Sequence, residues 1–240
     1  GPCSGKTTAL NFLSEKLRDR GFRVFNVPEV ATMTISGGVP DISNIAKNNP
    51  GLYLKIEECM FQMQLALENK FHILASQFPN EPRVIICDRG LKDFEAYIGE
   101  KNFSALLEDV NCNISHIYGR YDGIVDLVTA ANGAEEYYTL ENNKARQETT
   151  LEEARKNCKA VQDAWVGHPH LWIIDNSTNF ELKLKRVLRA ICRTLGIPAP
   201  IEIERRFLIK DLPNFQSAVF DNIKIQKISM EQMYLKSQDE

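Results

Sequence analysis

The chain has 240 residues, 43% of them hydrophobic and 25% charged, and a formal net charge of −3. A chain of that length can build a substantial core, as one large domain with a partner or as two medium ones. The charge balance excludes the broad basic surface that duplex nucleic acid requires, and no apolar run is long enough to cross a bilayer.

In chain order, Ala9, Leu10, Leu13 and Leu17 recur at helical spacing between positions 6 and 20, and Gly21 supplies a stop. Residues 22–27 form a short apolar run ending at Pro28 and Glu29, which predicts a strand. The Gly-, Pro- and Asn-rich stretch 35–49 predicts irregular backbone over a site. After Pro50, residues up to position 77 hold only one breaker, Gly51, and predict one long helix. Residues 83–87 form a continuous apolar run, as a strand buried on both faces does. Helical spacing resumes over 91–98, a third strand is predicted over 123–129, and a polar stretch leads into a charged helix reaching about Trp165. A fourth strand over 171–174 and a closing amphipathic helix over 181–195, stopped by Gly196, complete the pattern.

Strands alternating with helices predict an α/β domain with one parallel sheet covered on both sides. The stiff Pro198-Ala199-Pro200 places a domain boundary at about 197–200. Beyond it polar and apolar residues alternate, as in antiparallel strands, so the expected domains are 1–197 and 201–240. The six cysteines are scattered, with no C-x-x-C pair or zinc spacing, and read as the reduced thiols of a cytoplasmic protein. The chain opens inside a motif and closes just after a strand-like run, and so reads as a piece of a longer protein.

That opening motif is the most specific signal. Gly1-Pro2-Cys3-Ser4-Gly5-Lys6-Thr7-Thr8 matches all but the first position of G-x-x-x-x-G-K-[ST], the phosphate-binding loop. Backbone amides of such a loop converge on phosphate oxygens at a positive helix end. Lys6 is placed to reach the β- and γ-phosphates, and the Thr7 hydroxyl to ligate Mg²⁺. Asp88, at the end of the strand over 83–87, is the second expected Mg²⁺ carboxylate, or an orienter of a substrate hydroxyl, with Arg89 on a phosphate. A helix-capping role is the plainer alternative for Asp88. Glu29 ends a strand at the edge where α/β sheets bind ligands and is placed as a second carboxylate facing an acceptor, although a helix-capping or solvated glutamate fits as well. For Asp93 the preferred reading is an intrahelical ion pair with Arg89. Lys144 and Arg146 sit where a lid would carry a catalytic arginine onto the γ-phosphate, with a solvated charged helix face as the plainer alternative. Asp175-Asn176-Ser177-Thr178 follows the fourth strand, where a base-contacting loop would lie, and an ordinary strand-to-helix turn is the preferred reading.

In the second domain, Glu202, Glu204 and Arg206 alternate onto one strand face. Such a face can hold a divalent cation on its carboxylates and a polyphosphate on its arginine, and a solvated face with cross-strand ion pairs is the plainer alternative. Glu202-x-Glu204-x-Arg206 resembles the E-x-E-x-K signature of CYTH, or triphosphate tunnel, domains, with arginine in place of lysine. Joined to Gly1–Thr8, Pro28-Glu29-Val30-Ala31-Thr32 and Cys87-Asp88-Arg89-Gly90, it makes the chain similar to the TRPL translocation defect protein 14 family, in which a NadR-like P-loop domain precedes a CYTH domain. The resemblance implies GTP binding, phosphoinositide binding, peripheral membrane contact and a part in trafficking a membrane channel protein. It also leaves small-molecule kinase and triphosphate hydrolase activities open. The base is not legible in the residues, since no N-K-x-D guanine-reading motif is present; guanine rests on the resemblance, with ATP as the alternative.

Overall fold

The computed structural model describes residues 2–138 and 150–199, all within the first of the two units, 1–200 and 201–240, into which the chain divides. Helix α1 (Lys6–Arg18) buries Ala9, Leu13 and Leu17 along one stripe. It ends as sequence spacing demands: Gly21 adopts φ 83, and the Phe22 amide returns to the Leu17 carbonyl at 3.0 Å. β1 (Arg23–Val27) follows, then the short helices α2 (Val30–Ser36) and α3 (Ile42–Asn48). The stretch 35–49 is therefore largely helical, against expectation. Gly37 and Gly38 break it, but Ile42 is buried in the core and pulls its turn into register.

The long helix is present as α4 (Pro50–Ser76), with Pro50 at its first position and the Asn49 side chain accepting from the Leu52 amide at 3.1 Å. β2 (Arg83–Cys87) leads into α5 (Asp93–Ile98), α6 (Glu100–Asp109) and α7 (Ile114–Gly119). β3 (Ile124–Leu127), α8 (Leu151–Ala164), β4 (Leu171–Ile174) and α9 (Phe180–Thr194) close the unit. One face of α8 is buried, through Ala154, Cys158, Val161 and Ala164.

The sheet departs from the single one expected. Among the described residues β1 pairs in parallel with β2, and β3 in parallel with β4, as two separate pairs. Between them lies a cavity of about 1140 Å³, lined by Val84 and Ile86 of β2 and Val125 and Leu127 of β3, and reaching Lys6 and Asp88. This cavity is why Val84 to Cys87 are half-buried instead of enclosed on both faces. Two cores flank the pairs. One joins Ala9, Leu13, Leu127, Ile174, Val187 and Leu188; the other centres on Phe61, set edge-on to Phe94 at 5.5 Å and Phe103 at 6.1 Å. No described helix is long and apolar enough to cross a membrane.

Candidate phosphate-binding site

Parallel strands direct their carboxyl ends to one edge, and that edge assembles the site. The loop before α1 curls because Cys3 (φ 48) and Gly5 (φ 83) both lie in the left-handed region. Gly5 is required twice over, since a Cβ there would also lie 2.5 Å from the Phe180 ring. The first turn of α1 holds no acidic residue and its N-cap makes no side-chain bond, so the positive helix end stays uncompensated by the chain itself. The Pro2 carbonyl accepts from Thr129 Oγ1 at 2.5 Å, and the Cys3 carbonyl from the Ala130 amide at 3.1 Å. Ser4 is 4% exposed, and its hydroxyl has no partner among the described residues.

Opposite the loop stand the ends of β1 and β2. Their register pairs Val27 with Cys87, and the Asp88 amide donates to the Val27 carbonyl at 3.0 Å, which brings Glu29, Asp88 and Arg89 together. Arg89 holds φ 85, an unusual conformation for a side-chain-bearing residue and the kind of strain that clusters at functional sites. Its guanidinium donates to Glu29 at 3.1 Å and to Asp93 at 3.4 Å, and lies 6.0 Å from the centre of the Tyr97 ring. The pair with Asp93 exists but is not intrahelical: α5 begins only at Asp93, and Arg89 belongs to the strained turn before it. Asp93 in turn accepts from Trp165 Nε1 at 2.5 Å. Glu29 precedes α2 without capping it through its side chain; its second oxygen accepts from the Thr32 hydroxyl at 2.5 Å.

Charge coupling follows from this crowding. Burial pushes the Lys6 ammonium below its usual value, Arg89 adds to the effect, and Glu29, Asp88 and Asp93 oppose it. Asp88 is raised, chiefly by burial, with Lys6 pulling the other way and Glu29 adding to the rise. Burial also penalises Glu29, yet Arg89 and Thr32 together leave it lowered. For Arg89, burial works against the charge, but Tyr97, Asp93 and Glu29 fix it as a cation. Asp88 is not a helix cap, since Lys92 holds that position for α5. Its buried Oδ1 has no hydrogen-bond partner among the described residues.

The turn carrying Asp88 and Arg89 rests on a buried polar network that was not legible in the sequence. Gln64 Nε2 donates to Glu68 at 2.9 Å and to the Arg89 carbonyl at 3.4 Å. The Tyr121 hydroxyl donates to Glu68 at 2.8 Å and accepts from the Leu91 amide at 2.8 Å, while Arg120 Nε donates to Glu68 at 3.0 Å. Gly90 has no room for a side chain, because a Cβ would meet Trp165 at 2.7 Å.

The AAA_28 family model, described as an AAA domain, matches residues 1–183. The chain belongs to this family. No curated protein and no solved structure matches it. An AAA_28 domain is P-loop NTPase-like, which accords with the mixed α/β architecture, and such a domain points to nucleotide binding.

The structure brings Pro2 to Thr8 of this AAA_28 chain to the same edge as Glu29, Asp88 and Arg89. Gly1, Lys144, Arg146, Glu202, Glu204 and Arg206 lie outside the described residues. Asp175 forms the turn expected of it, accepting from the Ser177 hydroxyl at 2.6 Å, from Arg186 at 2.6 Å and from the Ser177 amide at 3.2 Å, which together hold its carboxyl at about 2. Sequence reading missed Thr129 and Lys183, which donate to the Pro2 and Ser4 carbonyls of the loop, and Asn176, which joins the two. The only available signal was a lysine on the apolar stripe of α9, between Asn179 and Val187.

Proposed function

We propose that this domain binds the triphosphate of a purine nucleotide together with Mg²⁺, GTP first and ATP as its alternative. One observation carries the reading: loop carbonyls are engaged from outside, opposite a strained turn whose Asp88 keeps a buried oxygen without a partner among the described residues. Thr7 is exposed at the head of α1, and Thr7 with Asp88 offers the hard oxygen donors that Mg²⁺ takes in small number beside phosphate oxygens and water. Among the described residues no group of three or more His, Cys, Asp or Glu could hold a metal by itself, which is compatible with a cation that arrives with its nucleotide. When bound, Mg²⁺ would neutralise charge on the β- and γ-phosphates. Lys6 would then grip those phosphates, and the loop amides would surround them.

The preference for guanine rests on the family resemblance, as do slow GTP hydrolysis and a regulatory role. The same resemblance, through Glu202, Glu204 and Arg206, supports an adjoining site for phosphoinositide or another polyphosphate and a task in trafficking a membrane channel protein. Labelled GTP and ATP titrated with Mg²⁺ into the chain should saturate. Lys6→Ala should weaken that binding about a hundredfold, the value of a strong charge-assisted contact. Binding that ignores the Lys6 substitution, or none at all, would end the reading.

A second reading is small-molecule kinase activity. It draws on Asp88, whose carboxyl burial raises above its usual value, standing beside a fixed guanidinium at Arg89 and the carboxylate of Glu29. A nucleoside screen with ATP or GTP separates the two: phosphorylated product that vanishes in Asp88→Asn supports the kinase, and turnover indifferent to any acceptor rejects it.

A further inference from the structure

Behind the phosphate loop lies a lysine that no motif includes. Lys183 of α9 is 3% exposed, and its ammonium is fully engaged. It donates to Asn176 Oδ1 at 2.7 Å, to the Val128 carbonyl at 2.9 Å and to the Ser4 carbonyl at 3.3 Å. An ammonium has three protons, so this set uses all of them. Asn176 continues the connection, its amide donating to the Thr129 carbonyl at 2.8 Å and the Asn132 carbonyl at 2.7 Å. Thr129 Oγ1 returns to the Pro2 carbonyl. A closed ring thus runs from Ser4 through Lys183, Asn176 and Thr129 back to Pro2.

Peptide planarity turns this ring into a directional device. Every peptide bond described here is trans, and in a trans peptide the carbonyl of one residue and the amide of the next point in opposite directions. Fixing the carbonyls of Pro2, Cys3 and Ser4 against this wall therefore aims the amides of Cys3, Ser4 and Gly5 away from it, as an anion cradle needs. We propose that Lys183 is a positioning residue of the phosphate loop, holding the Ser4 carbonyl so that the Gly5 amide is presented to a nucleotide phosphate. The inference rests on the nucleotide-binding reading above.

Burial lowers the Lys183 ammonium to about 8, with Cys158 and Asp126 pulling it up, Arg186 adding to the fall and Asp175 opposing it. Its three acceptors offset part of that cost, and an apolar residue in its place would leave the Ser4 and Val128 carbonyls short of a donor.

The test measures affinity for the Mg²⁺ complexes of GTP and ATP, alongside the melting temperature of the nucleotide-free chain. Lys183→Met, which keeps length but no donors, should weaken binding about tenfold or more. Lys183→Ala should show the same loss and regain affinity with millimolar n-propylammonium, which replaces the missing donors. Tetramethylammonium, which cannot donate, should restore nothing. A merely structural lysine would give a lower melting temperature with no such distinction between the two cations. Wild-type affinity in Lys183→Met, or equal response to both cations in Lys183→Ala, overturns the inference. Should both variants fail to fold, Asn176→Ala decides, a weakened affinity supporting the ring and an unchanged one refuting it. Failure of the unsubstituted chain to bind either nucleotide would instead sink the nucleotide reading itself.

Discussion

The two walls of the site are built by opposite means. On the loop side, main-chain carbonyls are bound one after another by Thr129, Ala130 and Lys183, so the cradle is set by saturated hydrogen bonds. On the strand side, Arg89 is clamped between Glu29 and Asp93 while a buried oxygen of Asp88 has no partner among the described residues. The first wall is organised before any ligand arrives; the second holds electrostatic tension that a cation or a proton relieves. The proposed phosphate site would draw on both, amides aimed at an anion for geometry and the Asp88 carboxylate for the metal.

The largest effect should come from breaking the strand wall at its centre. Arg89→Met leaves Glu29 and Asp93 buried without their cation and should cost about 3 kcal/mol in chemical denaturation. The sign of its pH dependence follows from Glu29, whose carboxyl is lowered in the folded chain. Stability from that pairing is present above the ordinary glutamate value of 4.5 and is lost as pH falls through the lowered folded one. The gap between the chain and Arg89→Met should therefore shrink in acid; a gap constant from pH 7 to pH ~3 would show that the ion pairs are not its source.

Tyr121→Phe should come next. It removes the hydroxyl shared by Glu68 and the Leu91 amide, leaving a buried donor and acceptor, and should cost about 2 kcal/mol with a rise in amide exchange at Leu91. A stability change under ~0.5 kcal/mol would show that the network does not brace the Asp88 turn.

Asp88→Asn should have the smallest effect on folding and the opposite sign. Because burial raises the Asp88 carboxyl, its charged form costs the folded chain free energy at neutral pH, and that cost disappears in acid. The amide should gain about 1 kcal/mol at pH 7 while abolishing the Mg²⁺ dependence of nucleotide binding. Lower stability together with unaltered Mg²⁺ dependence would remove Asp88 from the site.

These residues also differ in how far the sequence marks their position in the fold. Gly5, Lys6 and Thr7 were legible because a loop that must turn left-handed and then start a helix leaves a local mark in consecutive residues. Asp88 and Glu29 were legible because each ends an apolar run, and the carboxyl edge of parallel strands is where ligands gather. The helical character of 42–48 was hidden by its Gly, Pro and Asn neighbours, since burial of Ile42 overrode weak local preference. The nature of the Arg89–Asp93 pair was hidden for a related reason: i,i+4 spacing suggests one helix, whereas the strained turn at Arg89 brings the two together from outside it.

By itself the sequence determined the α/β alternation, the phosphate-loop motif and the strand-end acids, all of which depend on residues within one or two turns of each other. Only the tertiary structure decided that Lys183 lies against Ser4, that Thr129 holds Pro2 and that Gln64, Glu68 and Tyr121 brace the Asp88 turn. Those contacts join residues far apart in the chain, and a buried polar group finds its partner by packing, which leaves no periodic trace in the order of amino acids.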